Sequence, residues 1–546
     1  MKKLRISPNI NARPKGSVII LLLVVFSLGI SQIQRWVYSY NSPTNGTDYA
    51  LKIAYGSNNN LYTIGRSQGS STGVDYTVIS LTNSGNMRWV YLYGNVPDQL
   101  DYGVDIVYGL DGNIYTSGCA FYGNFAVISL TDSGTERWLY ADTSTDKNGI
   151  ANSLVYAPDS NIYAVGYTSE DVQNLDFTVI SLSADNGIRK WRYTMDGTAH
   201  NWDEATDVLF GQDNNIYACG FVMNNITNRD FAVVSLTADS GYLRWFCSYN
   251  SPIDGGDEAT AITYGLDGNV YVSGWITDAN GYANLVVMSF DTNGTRNWVY
   301  TYDGIGNGHD MPYSIVYGAD NNIYVAGRSE GLLSGDYDIV VISITNTGNE
   351  RWAYRCSGPV NDWDEAFSLV YGADNNIYVA GYTWQSTGVT DFAVISLTNT
   401  GSERWTYLYN GPANSEDEAW DVTYGLDGHI YATGRSSGIN SGYDITVISL
   451  TATGDITENC ANSCVRNMLK VYPNPAKTVI RVRVPLSVKE IRIFDVSGKV
   501  IKEIITPSAR NDDVATVSLK GINPGIYFLQ FGTETKKFRV IKIVHN

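Results

Sequence analysis

The sequence predicts an all-β fold built from eight copies of one unit, because two aromatic residues each recur eight times along the chain. One is a Trp, usually preceded by Arg, which recurs about every 53 residues at Trp36, Trp89, Trp138, Trp191, Trp245, Trp298, Trp352 and Trp405. The other is the Tyr of an N-I-Y-x-x-G segment, at Tyr62, Tyr115, Tyr163, Tyr217, Tyr271, Tyr324, Tyr378 and Tyr431. Eight such units are typical of an eight-bladed β-propeller, whereas a solenoid usually has shorter repeats and separate caps.

Each unit contains four short segments rich in β-branched and aromatic residues, which predict four antiparallel strands. In the last unit, the first three strands are marked by Val422, Ile430 and Val447, and the preceding unit supplies the Trp405 type of fourth strand. Asp-Gly or Asn-Asn pairs such as Asp111-Gly112 separate the first two strands. These residues tolerate positive φ, so we expect two-residue type I′ hairpins there.

The ends of the repeat predict how the ring closes. The first Trp precedes any first strand, and no Trp follows the last unit, which ends near Leu450. The eighth unit therefore lacks a fourth strand of its own. We expect residues 36–40 to supply it by pairing near Val447, which removes two exposed sheet edges.

The recurrent Trp has a structural interpretation. One large ring at the same position in each blade is expected to fill the wedge between neighbouring blades. An aromatic ligand platform is the alternative, but eight platforms on outer strands would make an unusual pocket.

The first residues predict an export signal. Residues 1–31 combine five Lys/Arg with an apolar run at 18–30, which is too short for a comfortable permanent span. A retained anchor is the alternative. We divide the rest into a propeller (32–455), a linker (456–469) and a small C-terminal domain (470–546).

Charge is distributed unevenly over these parts. The formal net charge is −18, with 17 Lys/Arg against 49 Asp/Glu in residues 35–465 and 15 against 6 in residues 466–546. An acidic body excludes nucleic acid as the expected partner, since phosphate binding requires a basic face. Solubility alone explains this acidity, although calcium or a cationic surface is compatible with it.

The six cysteines of an exported chain are candidates for disulfides. Cys460 and Cys464 lie close together beyond the last repeat, so we predict a bond between them. The other four are interpreted as buried small hydrophobic residues, whose pairing does not follow from the sequence. With only four His in the chain, a zinc site is not expected.

The last 77 residues form a basic segment with alternating strands and Pro-Asn-Pro, Ser-Gly and Asn-Pro-Gly turns, which predicts a small β-sandwich. It contains Y-P-N-P at 472–475, D-x-S-G-K at 495–499 and L-K-G-I-N-P-G-I-Y at 519–527. These motifs resemble the C-terminal sorting domain of the type IX secretion system of Bacteroidota. The resemblance implies that the secretion machinery is a partner and that the protein is secreted or placed on the outer cell surface. An ordinary carbohydrate-binding or fibronectin-like module is the alternative.

The repeat itself resembles the Trp-docking repeat of quinoprotein-like propellers, through V-I-S-L-T-x-x-G-x-x-R-W, and also the repeats of secreted bacterial surface propellers. Quinoprotein dehydrogenases carry a disulfide between adjacent cysteines at the cofactor. This chain has no adjacent cysteines. We therefore expect no redox cofactor.

An Asp recurs 14 residues before each repeat Tyr, at the predicted start of the innermost strand. The positions are Asp48, Asp101, Asp203, Asp257, Asp310, Asp364 and Asp417, with Gly149 in the third unit. The structural interpretation is an Asp that accepts backbone N–H groups in a turn. The functional one is an acidic ring at the channel mouth, where Asp257, Asp310 and Asp417 are the candidate ligands for calcium.

The tryptophans outside the repeat pattern include four in or near the loops predicted at the same end: Trp202, Trp363, Trp384 and Trp420. Aromatic rings beside carboxylates suit sugar stacking and hydrogen bonding, although local packing is the alternative. Trp202-Asp203 and Trp363-Asp364 share a W-D-E-A sequence, so we expect matching sites.

The sequence therefore predicts a binding or adhesion module for glycans or other surface polymers. An extracellular polysaccharide-degrading enzyme using carboxylates at the channel mouth is the alternative, although no pair of carboxylates stands out. A purely structural repeat is the third. No nucleophile elbow, metal motif or phosphate loop occurs in the sequence.

Overall fold

The computed structural model describes residues 33–453, apart from 70–72, 95–98, 122, 144–147, 172–173, 226–227, 334 and 361. It also describes residues 471–472, 479–483, 490–494, 499–505, 514–520, 522, 525–532 and 537–545. The predicted signal peptide and linker lie outside the described residues, and the domain boundaries stay predictions.

The first part of the chain consists of short strands joined by turns and loops. In chain order these strands are β1 (Gln34–Tyr40), β2 (Tyr49–Tyr55), β3 (Asn60–Gln68), β4 (Gly73–Thr82), β5 (Met87–Tyr93), β6 (Gln99–Leu100), β7 (Tyr102–Tyr108), β8 (Ile114–Ala120), β9 (Asn124–Leu130), β10 (Glu136–Ala141), β11 (Gly149–Tyr156), β12 (Asn161–Asp171), β13 (Asn174–Ser183), β14 (Arg189–Met195), β15 (Glu204–Phe210), β16 (Asn215–Asn225), β17 (Asn228–Thr237), β18 (Leu243–Tyr249), β19 (Asp257–Tyr264), β20 (Val270–Thr277), β21 (Ala283–Phe290), β22 (Arg296–Tyr302), β23 (Asp310–Tyr317), β24 (Asn322–Glu330), β25 (Tyr337–Thr345), β26 (Glu350–Cys356), β27 (Glu365–Tyr371), β28 (Asn376–Ser386), β29 (Val389–Thr398), β30 (Glu403–Tyr409), β31 (Asp417–Tyr424), β32 (His429–Ser437) and β33 (Tyr443–Thr451).

These strands form eight antiparallel sheets, which are the blades of a propeller. Blade 1 is β2–β5, with β6 added parallel to β4, and blades 2 to 7 are β7–β10, β11–β14, β15–β18, β19–β22, β23–β26 and β27–β30. Blade 8 is β31, β32, β33 and β1. The predicted all-β, eight-bladed architecture is confirmed.

Blade 8 combines the two ends of the repeat region. Its outer strand β1 pairs with β33, with Trp36 opposite Ser449, Tyr38 opposite Val447 and Tyr40 opposite Ile445. The closure predicted for residues 36–40 is therefore confirmed, and β33 is paired on both sides.

The repeated Trp joins each blade to the next. Its Nε1 donates a hydrogen bond to a backbone carbonyl in the last turn of the following blade, at 2.8–3.5 Å, from Trp36 to Asn83 round to Trp405 and Ala452. A glycine with positive φ packs against the ring, as Gly134 does against Trp89, where an added Cβ would lie 2.5 Å from a ring carbon. The structural interpretation of this Trp is confirmed.

A second repeated network ties the strands of one blade together. The Arg that precedes the Trp donates to the repeat Tyr hydroxyl at 3.0–3.2 Å and to the Ser of V-I-S at 2.7–2.9 Å, as Arg351 does to Tyr324 and Ser343. The Tyr hydroxyl donates in turn to an Asp of the first turn, as Tyr324 does to Asp320 at 2.6 Å.

The first turn of each blade differs from the predicted type I′ hairpin. In blade 2, Gly112 N donates to Gly109 O at 3.0 Å, so Leu110 and Asp111 are the central residues of the turn. Neither of them has positive φ, whereas Gly112 has a φ of 80°. The prediction is wrong because the left-handed residue follows a type I-like turn, as in three-residue hairpins with a bulge.

The core is distributed over the interfaces between neighbouring blades. The cluster that closes the ring contains Ile53, Leu61 and Ile79 of blade 1 and Tyr431 and Val447 of blade 8, all nearly or completely buried. Each first strand also contains a register shift, for example between Ala419 and Asp421. Such bulges re-aim side chains and increase the local twist of the strand.

The described tail strands form two sheets. Strands β34 (Val471–Tyr472), β35 (Val479–Arg483) and β38 (Val514–Ser518) form one sheet. Strands β36 (Glu490–Phe494), β37 (Val500–Ile505), β39 (Gly525–Gly532) and β40 (Lys537–His545) form the other. Their packing as a sandwich stays a prediction. Within the residues that the structure describes, no helix is long and apolar enough to cross a membrane.

The cysteines differ in state. Cys119 and Cys219 are buried free thiols, as predicted, and Cys247 is a half-buried one. Cys356 is buried and disulfide-bonded. The predicted Cys460–Cys464 bond lies outside the described residues.

Candidate functional site

The two ends of the propeller carry different segments. Because neighbouring strands of a blade are antiparallel, the turns after its first and third strands lie at one end, here called the turn end. The blade-to-blade segments and the loops after the second strand lie at the other, the mouth end. The predicted site residues Trp202, Trp363, Trp384 and Trp420 all belong to elements that reach the mouth end.

The repeated Asp at the start of each first strand is completely or almost completely buried. Asp203 accepts hydrogen bonds from Gly197 N at 2.6 Å and Met223 N at 2.5 Å. Asp364 likewise accepts from Gly358 N and from Trp384 N, the latter at 2.7 Å. Each Asp thereby fixes the segment before its strand to the second strand of the same blade, which is the structural role considered from the sequence.

The three candidate calcium ligands occupy the same position in blades 5, 6 and 8, so the fold does not bring them together. Asp257 accepts from Ser251 N and Thr277 N, and Asp417 accepts from Gly411 N and Ser437 N. Asp310 accepts from Gly304 N at 2.8 Å. These contacts favour the hydrogen-bonding role, and the calcium role stays a prediction.

A different group of acids does come together at the mouth end. The ligand atoms of Asp176, Asp196 and Asp203 all lie within 4.8 Å of one another. Asp196 also lies 2.5 Å from His200 Nδ1. Because both oxygens of Asp203 already accept backbone hydrogen bonds, this group does not by itself establish a metal site.

Trp202 and Trp363 occupy equivalent positions, one residue before the Asp, and their side chains are 38% and 43% exposed. Each lies beside the third strand of the preceding blade, Trp202 next to Leu175 and Trp363 next to Tyr337. The two tryptophans therefore occupy equivalent backbone positions, and the matching sites predicted from W-D-E-A stay a prediction.

An arginine guanidinium stacks near the ring of each of these two tryptophans. The Arg229 guanidinium lies 4.9 Å from the ring centre of Trp202 and 4.3 Å from that of Phe221. The Arg328 guanidinium lies 4.8 Å from Trp363 and 4.7 Å from Tyr337. Stacking of a guanidinium on an aromatic face is favourable and holds both groups in place.

Each of these arginines pairs with the Glu of a D-E-A sequence. Arg229 Nη1 lies 2.6 Å from Glu258 Oε2, and Arg328 is in closer contact with Glu365. Only 7% of the Glu365 side chain and 14% of that of Arg328 are exposed, so this pair is largely removed from solvent.

Blade 8 carries a third cluster of the same kind. Trp420 is the extra residue of the bulge in β31, and its Nε1 donates to Glu418 Oε2 at 2.7 Å. Arg435 Nη2 donates to Glu418 Oε1 at 2.6 Å, and its guanidinium lies 4.1 Å from the ring centre of Tyr443. The ring of Tyr49 in blade 1 lies 5.0 Å from Trp420.

Trp384 is placed differently from the other three. Its backbone N binds Asp364, and its side chain is half-buried. Among the residues that the structure describes, its ring stacks on no other aromatic ring or arginine.

Burial changes the acidity of several carboxyl groups at this end. It raises the pKa of Glu204 to about 7 and that of Asp203 to about 6. Burial also raises the pKa of Glu258 and Glu365, although the neighbouring arginines oppose this shift. Glu204 is bound by Asn152 Nδ2 at 2.7 Å, and Asn152 and, to a smaller extent, Arg229 oppose its shift.

A layer of charges follows these clusters along the first strands. Lys52 Nζ lies 3.5 Å from Asp421 Oδ1, and Asp421, followed by Asp105 and Asp207, raises the pKa of Lys52. The three carboxylates also join blades, since Asp105, Asp207 and Asp421 accept hydrogen bonds from Leu154 N, Ile262 N and Ile53 N. These carboxylates therefore stabilise the contacts between blades as well as carrying charge.

The sequence prediction missed the arginines and glutamates of these clusters. Arg66, Arg328 and Arg435 directly follow the Gly of N-I-Y-x-x-G, and four of the other five units have an aromatic residue there. These positions pair across the strands with the residue after the repeated Asp, as Arg435 does with Glu418. The sequence therefore marked these clusters at two variable positions, the residue after the repeated Gly and the residue after the repeated Asp.

Several solved structures match the chain at low sequence identity. The quinohemoprotein alcohol dehydrogenase of Comamonas testosteroni matches with a TM-score of 0.49 and 12% identity, covering 78% of this chain and 77% of that chain. BamB of Moraxella catarrhalis matches with 0.44 and 13%, covering 77% and 99%. PorZ, a surface component of the type IX secretion system of Porphyromonas gingivalis, matches with 0.37 and 12%, covering 89% and 64%. At these values no function is carried over from any of them.

The comparison of sequences identifies the tail. A search of curated proteins finds no match to the chain. Residues 470–546 match the family of the secretion system C-terminal sorting domain. This domain indicates export to the cell surface or the extracellular space, with the secretion machinery as partner. The chain is thus an eight-bladed β-propeller that carries a type IX secretion sorting domain at its C-terminal end.

Proposed function

We propose that the mouth end of the propeller binds a glycan or another polar surface polymer, and that the exported protein acts as a binding or adhesion module. The observation that carries this proposal is the equivalence of Trp202 and Trp363, which are partly exposed and each stacked against a paired arginine. A ring fixed in this way loses little conformational entropy when a sugar stacks on it.

The chemistry around the rings supports this ligand class. The carboxylates of Glu204, Glu258 and Glu365 accept hydrogen bonds from hydroxyl groups, and the guanidinium groups donate them. The two Trp clusters would contact two units of one polymer, so the second contact would raise the apparent affinity.

Affinity gel electrophoresis with dextran, xylan, alginate and chondroitin sulfate tests this proposal. We expect at least one polymer to retard the protein, and the double substitution Trp202→Ala/Trp363→Ala to weaken binding by about tenfold or more, roughly 1.4 kcal/mol. Tyr242→Ala is the matched control, because Tyr242 is 75% exposed at the turn end. Equal retardation of the wild type and the double variant would contradict the proposal.

The alternative is an enzyme that degrades a polysaccharide, and the raised pKa of Glu204 favours it as a second candidate, since an acid near neutrality suits proton transfer. Asp203 and Asp364 are poor choices for a test because their loss would disturb the backbone they hold. Release of reducing ends or unsaturated products, lost in Glu204→Gln, would support the enzyme. If neither turnover nor binding were observed, the purely structural repeat would be the remaining interpretation.

A further inference from the structure

We propose that the junction of blades 3 and 4 holds a second binding site at the turn end, for a single sugar ring. A cavity of about 640 Å³ lies there, among the first turns of both blades and the last turn of blade 4. This volume is in the range of small-molecule pockets. The site is remote from the mouth-end clusters and does not rest on the function proposed for them.

The first reason for the cavity is a missing guanidinium. In six blades an arginine spans from the repeat Tyr to the Ser of V-I-S, but blade 3 has Lys190 in its place. Lys190 is exposed, and the buried Ser181 Oγ that would receive the arginine has no hydrogen-bond partner. A lysine ammonium therefore lines an opening that is filled in most blades.

The second reason is a missing hydroxyl on the other wall. Blades 1, 6 and 7 have a Tyr at the end of the first strand, and its hydroxyl donates to the Asn of the turn, as Tyr371 does to Asn375 at 3.2 Å. Blade 4 has Phe210 at this position, so Asn214 receives no such hydrogen bond. Both residues line the cavity, Phe210 with a half-buried ring.

The third reason is a short side chain between them. In blades 1 and 6, Asn83 and Asn346 reach across the junction to the turn Asp of the preceding blade, at 3.4 Å in both cases. The equivalent residue of blade 4 is Ala238, whose carbonyl accepts the Trp191 hydrogen bond but whose side chain is too short to cross. Three departures from the repeat therefore coincide at one junction.

One buried group in the wall lacks a partner. Asn161 lines the cavity and is only 5% exposed, and its Oδ1 makes no hydrogen bond. Buried acceptors are almost always satisfied by a protein group, a water or a ligand, and a hydroxyl group of a bound molecule would satisfy this oxygen.

The lining as a whole defines the class of ligand. It offers the Asn161 acceptor, the Asn214 amide and the Lys190 ammonium, together with the ring of Phe210. A sugar ring matches this set, because its hydroxyl groups both donate and accept and its C–H face stacks on an aromatic ring. The neighbouring Asp159 is already bound by Asn161 and Tyr163, so it acts as part of the wall.

Saturation-transfer difference NMR of the full chain with glucose, galactose, mannose and N-acetylglucosamine tests the proposal. We expect transfer to at least one sugar in the wild type and its loss, or a weakening of tenfold or more, in Lys190→Arg. This variant restores the repeat residue and fills the cavity with a guanidinium, so it is expected to fold. Phe210→Tyr, which restores the other repeat residue, is expected to act in the same direction.

Asn297→Arg is the matched control, since it restores the arginine of blade 5, where Asn297 already binds Ser289 and Asn269. It is expected to bind as the wild type does. The proposal would be overturned if none of the four sugars bound the wild type, or if Lys190→Arg bound them equally well. It would also be overturned if binding were lost in Trp202→Ala/Trp363→Ala instead, because the sugar would then belong to the mouth end.

Discussion

The two ends of the propeller follow different rules. At the turn end, six of the blades repeat one arrangement, in which an arginine binds a Tyr and a Ser and the following Trp binds the next blade. At the mouth end a buried Asp repeats at the start of the first strand, and the residues beside it vary between Arg, Glu and aromatic side chains. Repetition therefore marks the contacts that hold the ring, and variation beside a repeated position marks the surface available for binding.

The largest effect on stability is expected from the Trp side chain that joins two neighbouring blades. Trp405 is 1% exposed, so Trp405→Ala should lower the free energy of unfolding by about 3–5 kcal/mol through lost burial and a cavity. Thermal and denaturant unfolding, followed by tryptophan fluorescence, measure this change. A change below about 1 kcal/mol would show that this Trp is dispensable for blade docking.

A smaller effect is expected from Glu204→Gln, and it should depend on pH. Burial raises the pKa of Glu204 to about 7, so its contribution to stability is fully present below the pKa of about 4.3 of an unfolded Glu and is lost as the pH rises through 7. The variant should match the wild type near pH 4.5 and be more stable at pH 8, by at most about 4 kcal/mol. Unfolding midpoints over this pH range check the prediction, and parallel curves for the two proteins would contradict it.

A further test places a lysine, as blade 3 has at Lys190, at the arginine position of a regular blade. Arg351→Lys should lose the hydrogen bonds to Tyr324 and Ser343 and leave the buried Ser343 Oγ without a partner. We expect a loss of about 1–2 kcal/mol in the free energy of unfolding. Lys190→Arg in blade 3 is the reciprocal change and should not destabilise the protein. If both variants were as stable as the wild type, the turn-end network would not be a source of stability.

The smallest effect on stability is expected at the mouth end. Trp363 is 43% exposed, so Trp363→Ala should change the free energy of unfolding by less than about 1 kcal/mol while it weakens polymer binding. Unfolding and binding measured on the same preparation separate the two effects. A loss of stability as large as that of Trp405→Ala would remove the distinction between the two ends.

Much of the ring could be predicted from the sequence, because its contacts depend on residues that recur at fixed spacing. The positions of Trp36 and Trp405 predicted both the number of blades and the closure. The arginine clusters were not predicted, since Arg229 and Glu258 lie 29 residues apart and meet only when two blades are adjacent. The type of the first turn was also wrong, because Asp-Gly tolerates positive φ at either position and the sequence does not show which one adopts it.

The pairing of β1 with β33 has a consequence for the order of assembly. Trp36 and Ser449 are partners across more than 400 residues of chain, so blade 8 cannot form before nearly the whole repeat region is available. Contacts of such sequence separation form slowly, because loop closure costs entropy before they stabilise anything. The pairing of β1 with β33 thus closes the ring, and it leaves the segments before β1 and after β33 attached to the same blade.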